Sequence, residues 1–327
     1  MDRNVAVAER DEDGDEFEEI IKKVQKIKHP TIEGRYYYLY NGFWITDSLF
    51  KGVISFQKHY VANDDDIVLA SCPKSGTTWL KALTFTITNR SHFTLSNTPL
   101  LVSNPHDLVP EISFIDLHTL DDDHNKSSQR LFSTHNAYSL LPHSIKNSKC
   151  KIVYICRNPL DLFVSLWHFS QKFSGSKIEP SSFELYFDNF SQGIHAFGPF
   201  WNHVLEFWKA SQELPHKILF LKFEDLKKDN VFFIKKLADF LGFPFSLEEE
   251  QQGLIEEISK FCSIDRMKSF EINKVGKNDP MSIPNSSFFR KGKVGDWRNF
   301  LTPQMVERGK KLIQEKFKDS NITFDFE

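Results

Sequence analysis

A chain of 327 residues can bury a full hydrophobic core without staples, in one large domain or two ordinary ones. With 26% charged and 40% hydrophobic residues it is neither disordered nor fibrous, and a net charge of -3 argues against a general nucleic-acid binder. Phe is the outlier, at 32 residues against 8 Tyr, which points to a core and a substrate cavity built from aromatic rings.

Residues 2–19 carry nine acids and two bases and read as a solvated, disordered tail, leaving 20–327 as the folded domain. That stretch has no apolar core, so neither a signal nor a transit peptide is expected. The longest apolar runs fall short of the ~20 residues that span a bilayer. Cys72, Cys150, Cys156 and Cys262 form no CxxC and have no histidine at ligand spacing, so neither a disulfide framework nor a metal site is expected. The expectation is a reduced, cytoplasmic chain with no membrane, nucleic-acid or obligate protein partner.

Residues 18–29 have the spacing of a short amphipathic helix. An aromatic cluster follows, Tyr36, Tyr37, Tyr38, Tyr40, Phe43 and Trp44, and reads as a segment packed over something apolar. The pattern then alternates. Strands are predicted at 66–71 (DIVLAS), 130–134 (RLFST), 151–156 (KIVYIC) and 217–223 (KILFLKF), with helices near 158–172, 181–192, 199–212, 230–241 and 303–317. Residues 273–296 are polar, contain Gly and Pro, and read as a long ordered loop. Strands alternating with helices predict one α/β domain, a central parallel sheet flanked by helices.

CPKSGTTW at 72–79 joins the first of these strands to a helix. Gly76 allows a tight turn, Thr77 and Thr78 open the helix, and the backbone N–H groups make an anion nest that Lys74 reinforces. It is not a Walker A loop, because Lys74 precedes the glycine, and no Walker B acid ends a strand. On its own it also fits a plain capped strand–turn–helix. RNPLDLFVS follows the third strand: Asn158 caps a helix, Pro159 takes its first position, and Arg157 stands beside the helix N-terminus with Ser165 two turns on. FFRKGKVGDW at 288–297 brings Arg290, Lys291 and Lys293 around Gly292 and Gly295. Taken singly, Arg157 also reads as a salt-bridging residue and the second loop as a solvated turn.

Together, PKSGTTWLKAL, ICRNPLDLFVSLWHF and FFRKGKVGDWRNFLT resemble three motifs of the cytosolic sulfotransferase family, in order and at fitting spacing, over about residue 40 to the C-terminus. NPLL, SNPHDLVP and GPFWNHVLEFWKAS look most like its plant branch, whose acceptors include flavonols, desulfoglucosinolates, hydroxyjasmonates and brassinosteroids. The resemblance implies 3′-phosphoadenosine 5′-phosphosulfate (PAPS) as co-substrate, adenosine 3′,5′-bisphosphate as product, no metal, and a small hydroxylated acceptor. It places Lys74 on the oxygen bridging phosphate and sulfate, with Ser75, Gly76, Thr77 and Thr78 around the 5′-phosphate and Trp79 on adenine. It gives the 3′-phosphate to Arg157, Ser165, Arg290, Lys291 and Gly292.

His135, in THNAYSLLP, resembles the family's catalytic histidine, and a neutral imidazole suits removal of the acceptor proton. Three departures stand out. Ser133 occupies the place of a lysine found in many animal members. Phe223 replaces a frequent Tyr, and Cys262, Ser263 and Ile264 stand where a hydroxyl and an aromatic ring are common, with Ser263 the retained contact. The KxxxTVxxxE-type dimer motif is not evident near 268–284. Competing readings are a P-loop kinase and a nucleotide-binding protein without catalysis.

Overall fold

The computed structural model describes residues 17–30, 32–115, 129–172, 182–278 and 283–326. The acidic tail predicted over 1–19 lies outside the described residues as far as residue 16, whereas 17–23 are helical and the Phe17 ring lies 5.8 Å from that of Phe50. The helix predicted over 18–29 is therefore half right. Its apolar positions Ile20, Ile21 and Val24 pack on a small aromatic core. The chain then extends into β1 (Gln25–Lys28), which pairs antiparallel with β2 (Tyr36–Tyr40), itself paired with β3 (Phe43–Thr46). Pairing with an aromatic, strand-prone partner overrides the local helical pattern.

Four parallel strands, β4 (Ile67–Ala70), β5 (Leu131–Thr134), β6 (Lys151–Cys156) and β7 (Ile218–Lys222), lie in the order β5-β4-β6-β7. All four fall within the predicted segments. β4 is buried along its whole length, as continuous apolar runs covered on both faces require. Val68, Ala70, Ile152 and Tyr154 face a core shared with the helices Pro159–Ser170, Ser182–Ser191, Phe200–Glu213 and Pro303–Phe317. Ile67, Leu69, Val153 and Ile155 face the opposite core, with the helices Thr77–Asn89, Asn230–Leu241 and Leu254–Phe261. The period-two alternation of the strands thus divides the molecule into two apolar layers.

The 273–296 loop carries more regular structure than predicted: a helix at Glu271–Val275, a two-stranded ladder of Lys277–Asn278 with Ile283–Pro284, and a 3-10 turn at Asn285–Phe288. The chain passes from β4 to β5 on one side and then crosses to β6 on the other side of β4, so the strand order switches direction at β4. Open α/β sheets form a crevice at such a point, beyond the carboxyl ends of the strands.

Just before β4, Asp66 is 1% exposed and takes two hydrogen bonds from Arg130, at 2.8 and 2.6 Å, and one from the Tyr60 hydroxyl at 2.8 Å. The pair clamps the entries of β4 and β5. Asp66→Ala removes one partner of a buried ion pair, and a loss of about 3–5 kcal/mol of unfolding free energy is expected by denaturant titration. A loss under about 1 kcal/mol would show that the clamp contributes no more than a surface pair.

Candidate active site

Each strand delivers one functional segment to the same edge of the sheet. The 71–76 loop follows β4, His135 follows β5, Arg157 follows β6 and Phe223 follows β7. They meet in a cavity of about 730 Å³ lined by Lys74, Gly76, Thr77, Thr78, Trp79, His135, Arg157, Ser165, Phe223, Arg290 and Gly292. Three of the sequence-predicted residues do not line it. Ser75 is buried in the loop behind it. Ser263 caps the helix Ile264–Ser269, accepting the Arg266 N–H and donating to the Lys260 carbonyl, so its neighbour Ile264 lines the cavity instead. Lys291 turns to Asp296 at 2.9 Å.

The loop is shaped for close approach. Gly76 has φ 111, and a Cβ there would stand 2.8 Å from the Phe223 ring. Lys74 also holds a positive φ of 71, a strained conformation for a residue with a side chain and one typical of functional turns. Its ammonium lies 3.8 Å from the centre of the Phe169 ring. Burial, together with the charges of Arg157 and Arg290, lowers the Lys74 pKa to about 7. Three cations thus converge where cations repel, the electrostatic outline of a polyanion site.

Arg157 stands over the Phe223 ring at 4.6 Å and donates to the Lys293 carbonyl at 2.7 Å. Asn158 caps the Pro159 helix by accepting the Leu160 N–H at 2.9 Å, as its position predicts. Asp161, fully buried on that helix, accepts the N–H groups of Gly295 and Trp297 at 2.8 and 3.0 Å, which docks the C-terminal basic loop beside Arg157. In that loop burial would raise the Asp296 pKa, but hydrogen bonds from Lys291 and Arg290 hold it down at about 2. Asp296 therefore stays ionised and fixes both side chains.

His135 has one defined tautomer. Its Nδ1–H donates to the Ser71 carbonyl at 2.8 Å, which leaves Nε2 as the basic atom on the cavity side. Burial lowers its pKa to about 3, so the ring is neutral at physiological pH. Behind it, the buried His203 donates from Nε2 to the His135 carbonyl at 2.9 Å, and Nδ1 of His203 accepts the Tyr154 hydroxyl. Glu111 accepts the His135 backbone N–H at 3.2 Å and the Ser133 hydroxyl at 3.2 Å, and burial holds its carboxyl above the usual carboxylate range. Asp161, His203 and Glu111 were not found by sequence reasoning. Asp161, in the first turn after Pro159, and His203, within GPFWNHVLEFWKAS, stood inside recognised motifs without a role assigned to them.

Tyr36, Tyr37, Phe114, Tyr186, Phe197 and Phe288 line the cavity beyond His135 and Lys74, among polar and charged side chains that include Asp47, Lys81 and Glu111. The Phe-rich composition thus serves both the core and the cavity. Among the described residues no cluster of three or more metal-ligating side chains occurs, and no helix is long and apolar enough to cross a membrane.

Comparison with known proteins matches this arrangement. A family model described as the sulfotransferase domain covers residues 64–321. Flavonol 3-sulfotransferase of Flaveria bidentis is 44% identical over 304 residues, 92% of this chain and 97% of that protein. Cytosolic sulfotransferase 15 of Arabidopsis thaliana is 41% identical over 329 residues, 98% of this chain and 91% of that protein. Among solved structures, mouse sulfotransferase SULT7A1 complexed with PAP superposes with a TM-score of 0.68 at 27% identity, covering 87% of this chain and 95% of that one. Retinol dehydratase, at 23% identity and a TM-score of 0.70 over 94% and 96%, shares the fold. With the Gly76 loop, two basic segments and a neutral histidine at one sheet edge, and relatives of this similarity along almost its whole length, the chain belongs to the sulfotransferase family.

Proposed function

We propose that the protein moves the sulfuryl group of PAPS to a hydroxyl of a small hydrophobic acceptor of the flavonoid, desulfoglucosinolate, hydroxyjasmonate or steroid class, by in-line transfer with His135 as the base. One observation carries the reading: the buried basic side chains Lys74 and Arg157, with Arg290 beside them, share a cavity with a neutral imidazole whose tautomer is set by Ser71. The residues fit the donor. Ser75 Oγ, Trp79 Nε1, Arg157 Nε and Arg290 Nε are buried with no hydrogen-bond partner among the described residues, and buried polar atoms of this kind call for one. The bound donor supplies an activated sulfuryl group on a phosphate leaving group.

The side chains then divide the work. Ser75, Gly76, Thr77 and Thr78 hold the 5′-phosphate with Lys74 on its bridging oxygen. Trp79, edge-on to Phe223 at 5.6 Å, packs on adenine, with Ile264 rather than Ser263 at the adenine side. Arg157, Ser165, Arg290 and Gly292 hold the 3′-phosphate, while Lys291, bound to Asp296, stays outside the cavity lining. His135 Nε2 takes the acceptor proton, Lys74 offsets charge gathering on the departing phosphate, and the aromatic wall excludes water. The supporting test is turnover of radiolabelled PAPS with a flavonol, a desulfoglucosinolate, hydroxyjasmonate and a steroid. Labelled product from one class supports the reading, and none from any class overturns it. No observation favours the kinase reading.

The 3′-phosphate contacts make a separable prediction. Arg157→Ala or Arg290→Ala removes a charge-assisted contact and should weaken binding of adenosine 3′,5′-bisphosphate about tenfold to a hundredfold by calorimetry. Adenosine 5′-phosphosulfate, which lacks the 3′-phosphate, should be barely affected. Equal losses for both ligands would remove these arginines from 3′-phosphate recognition.

A further inference from the structure

Lys81 is 1% exposed, in the first half of the Thr77–Asn89 helix. Its ammonium lies 2.9 Å from Nδ1 of His106, and Nε2 of the same ring lies 3.0 Å from the Thr78 hydroxyl. An ammonium only donates, so Nδ1 accepts and the ring hydrogen sits on Nε2. Thr78 Oγ1 must then accept from Nε2–H, which turns its own hydrogen outward. Thr78 lines the cavity. Directions along the chain are therefore forced, from a buried cation through a neutral imidazole to a hydroxyl at the mouth of the anion loop.

We propose that Lys81 and His106 are positioning residues of the donor site, which deliver the Lys81 charge through the imidazole and present the Thr78 hydroxyl hydrogen to the 5′-phosphate. The inference rests on the donor reading above. His106 is held from several sides. Its ring stacks on Phe288 at 4.0 Å and 27°, its backbone N–H is capped by Asn104, and Asn104 in turn donates to Asn273. Burial and the nearby Lys81 charge keep His106 neutral, the state in which it accepts from an ammonium. Burying a lysine costs stability that a methionine of similar shape would not. Its presence beside the loop is explained by what it does for the hydroxyl, and chains of such hydrogen bonds polarise one another.

The test is a double-mutant cycle read by calorimetric binding of adenosine 3′,5′-bisphosphate. Lys81→Met, His106→Phe and Thr78→Val should each weaken binding about tenfold. In a Thr78→Val background, Lys81→Met should add a loss of less than roughly threefold. Adenosine 3′-monophosphate, without the 5′-phosphate, should bind all variants alike, and KM for the donor should rise while KM for the acceptor holds. Losses that multiply in the double variant would show a through-space or packing effect and overturn the relay, as would unchanged binding by the single variants. If Lys81→Met does not fold, His106→Phe, which keeps the stack on Phe288, carries the same cycle with Thr78→Val. Failure of the unaltered protein to bind the bisphosphate would overturn the donor reading itself.

Discussion

His135→Ala should lower turnover on the order of a hundredfold or more while leaving the fold and donor affinity nearly intact. The imidazole Nδ1–H is anchored on Ser71, by its carbonyl at 2.8 Å and its hydroxyl at 3.4 Å, and the cations proposed to hold the donor come from other loops. The defect should shrink as the acceptor becomes more acidic, because a partly ionised phenol needs less help than an alcohol or an oxime. The measurement is kcat for both proteins on acceptors of graded pKa, with donor binding checked by calorimetry. Near-wild-type kcat on a weakly acidic acceptor would remove His135 from proton transfer. The sign of the pH dependence also follows. Burial takes the His135 pKa down to about 3, so the neutral base persists well below the usual imidazole range. An NMR titration of the free protein should find no His135 midpoint near 6.5, and a midpoint there would contradict the buried geometry. Bound donor anions favour the imidazolium and so strengthen the base when it is needed.

Lys74→Met should cost about a hundredfold to a thousandfold in turnover, the range for removing one preorganised group that stabilises developing negative charge. It also makes a thermodynamic prediction. Burial, then Arg157 and Arg290, lower the Lys74 pKa to about 7, so in the free protein the amine is only partly charged near neutrality. A polyanion favours the protonated form and raises that pKa. Binding of adenosine 3′,5′-bisphosphate at pH 8 should therefore take up protons, and affinity should weaken as pH rises above 7. Calorimetry in buffers of different ionisation enthalpy reads the uptake directly. Lys74→Met should abolish most of it. Uptake of the same size in the variant would assign the proton elsewhere and place the Lys74 amine away from the phosphates.

Much of the core sheet was legible because its evidence is local. KIVYIC is observed as β6 over the predicted span, and the other three core strands lie inside theirs, since continuous apolar runs bounded by turn residues leave few alternatives. The Pro159 and Pro303 helices begin at their prolines for the same reason. The β1 segment failed because its strand identity comes from its partner, β2, and not from its own spacing. The 273–296 segment failed likewise: its short ladder and turns are held by pairings such as the Asn285 N–H with the Gly276 carbonyl.

The site divides along the same line. Residue types and order within PKSGTTW, RNPLD and RKG already name an anion loop and its basic anchors, because turn chemistry and helix capping act over a few residues. The sequence separations of 64 from Ser71 to His135, 136 from Arg157 to Lys293 and 25 from Lys81 to His106 are closed only in three dimensions. Proton and charge states follow that closure. Lys74 and His135 are ordinary residue types with ordinary pKa values in an extended chain. Burial at the β4 switch point lowers both, because desolvation and facing charges exist only once β4, β5 and β6 lie side by side.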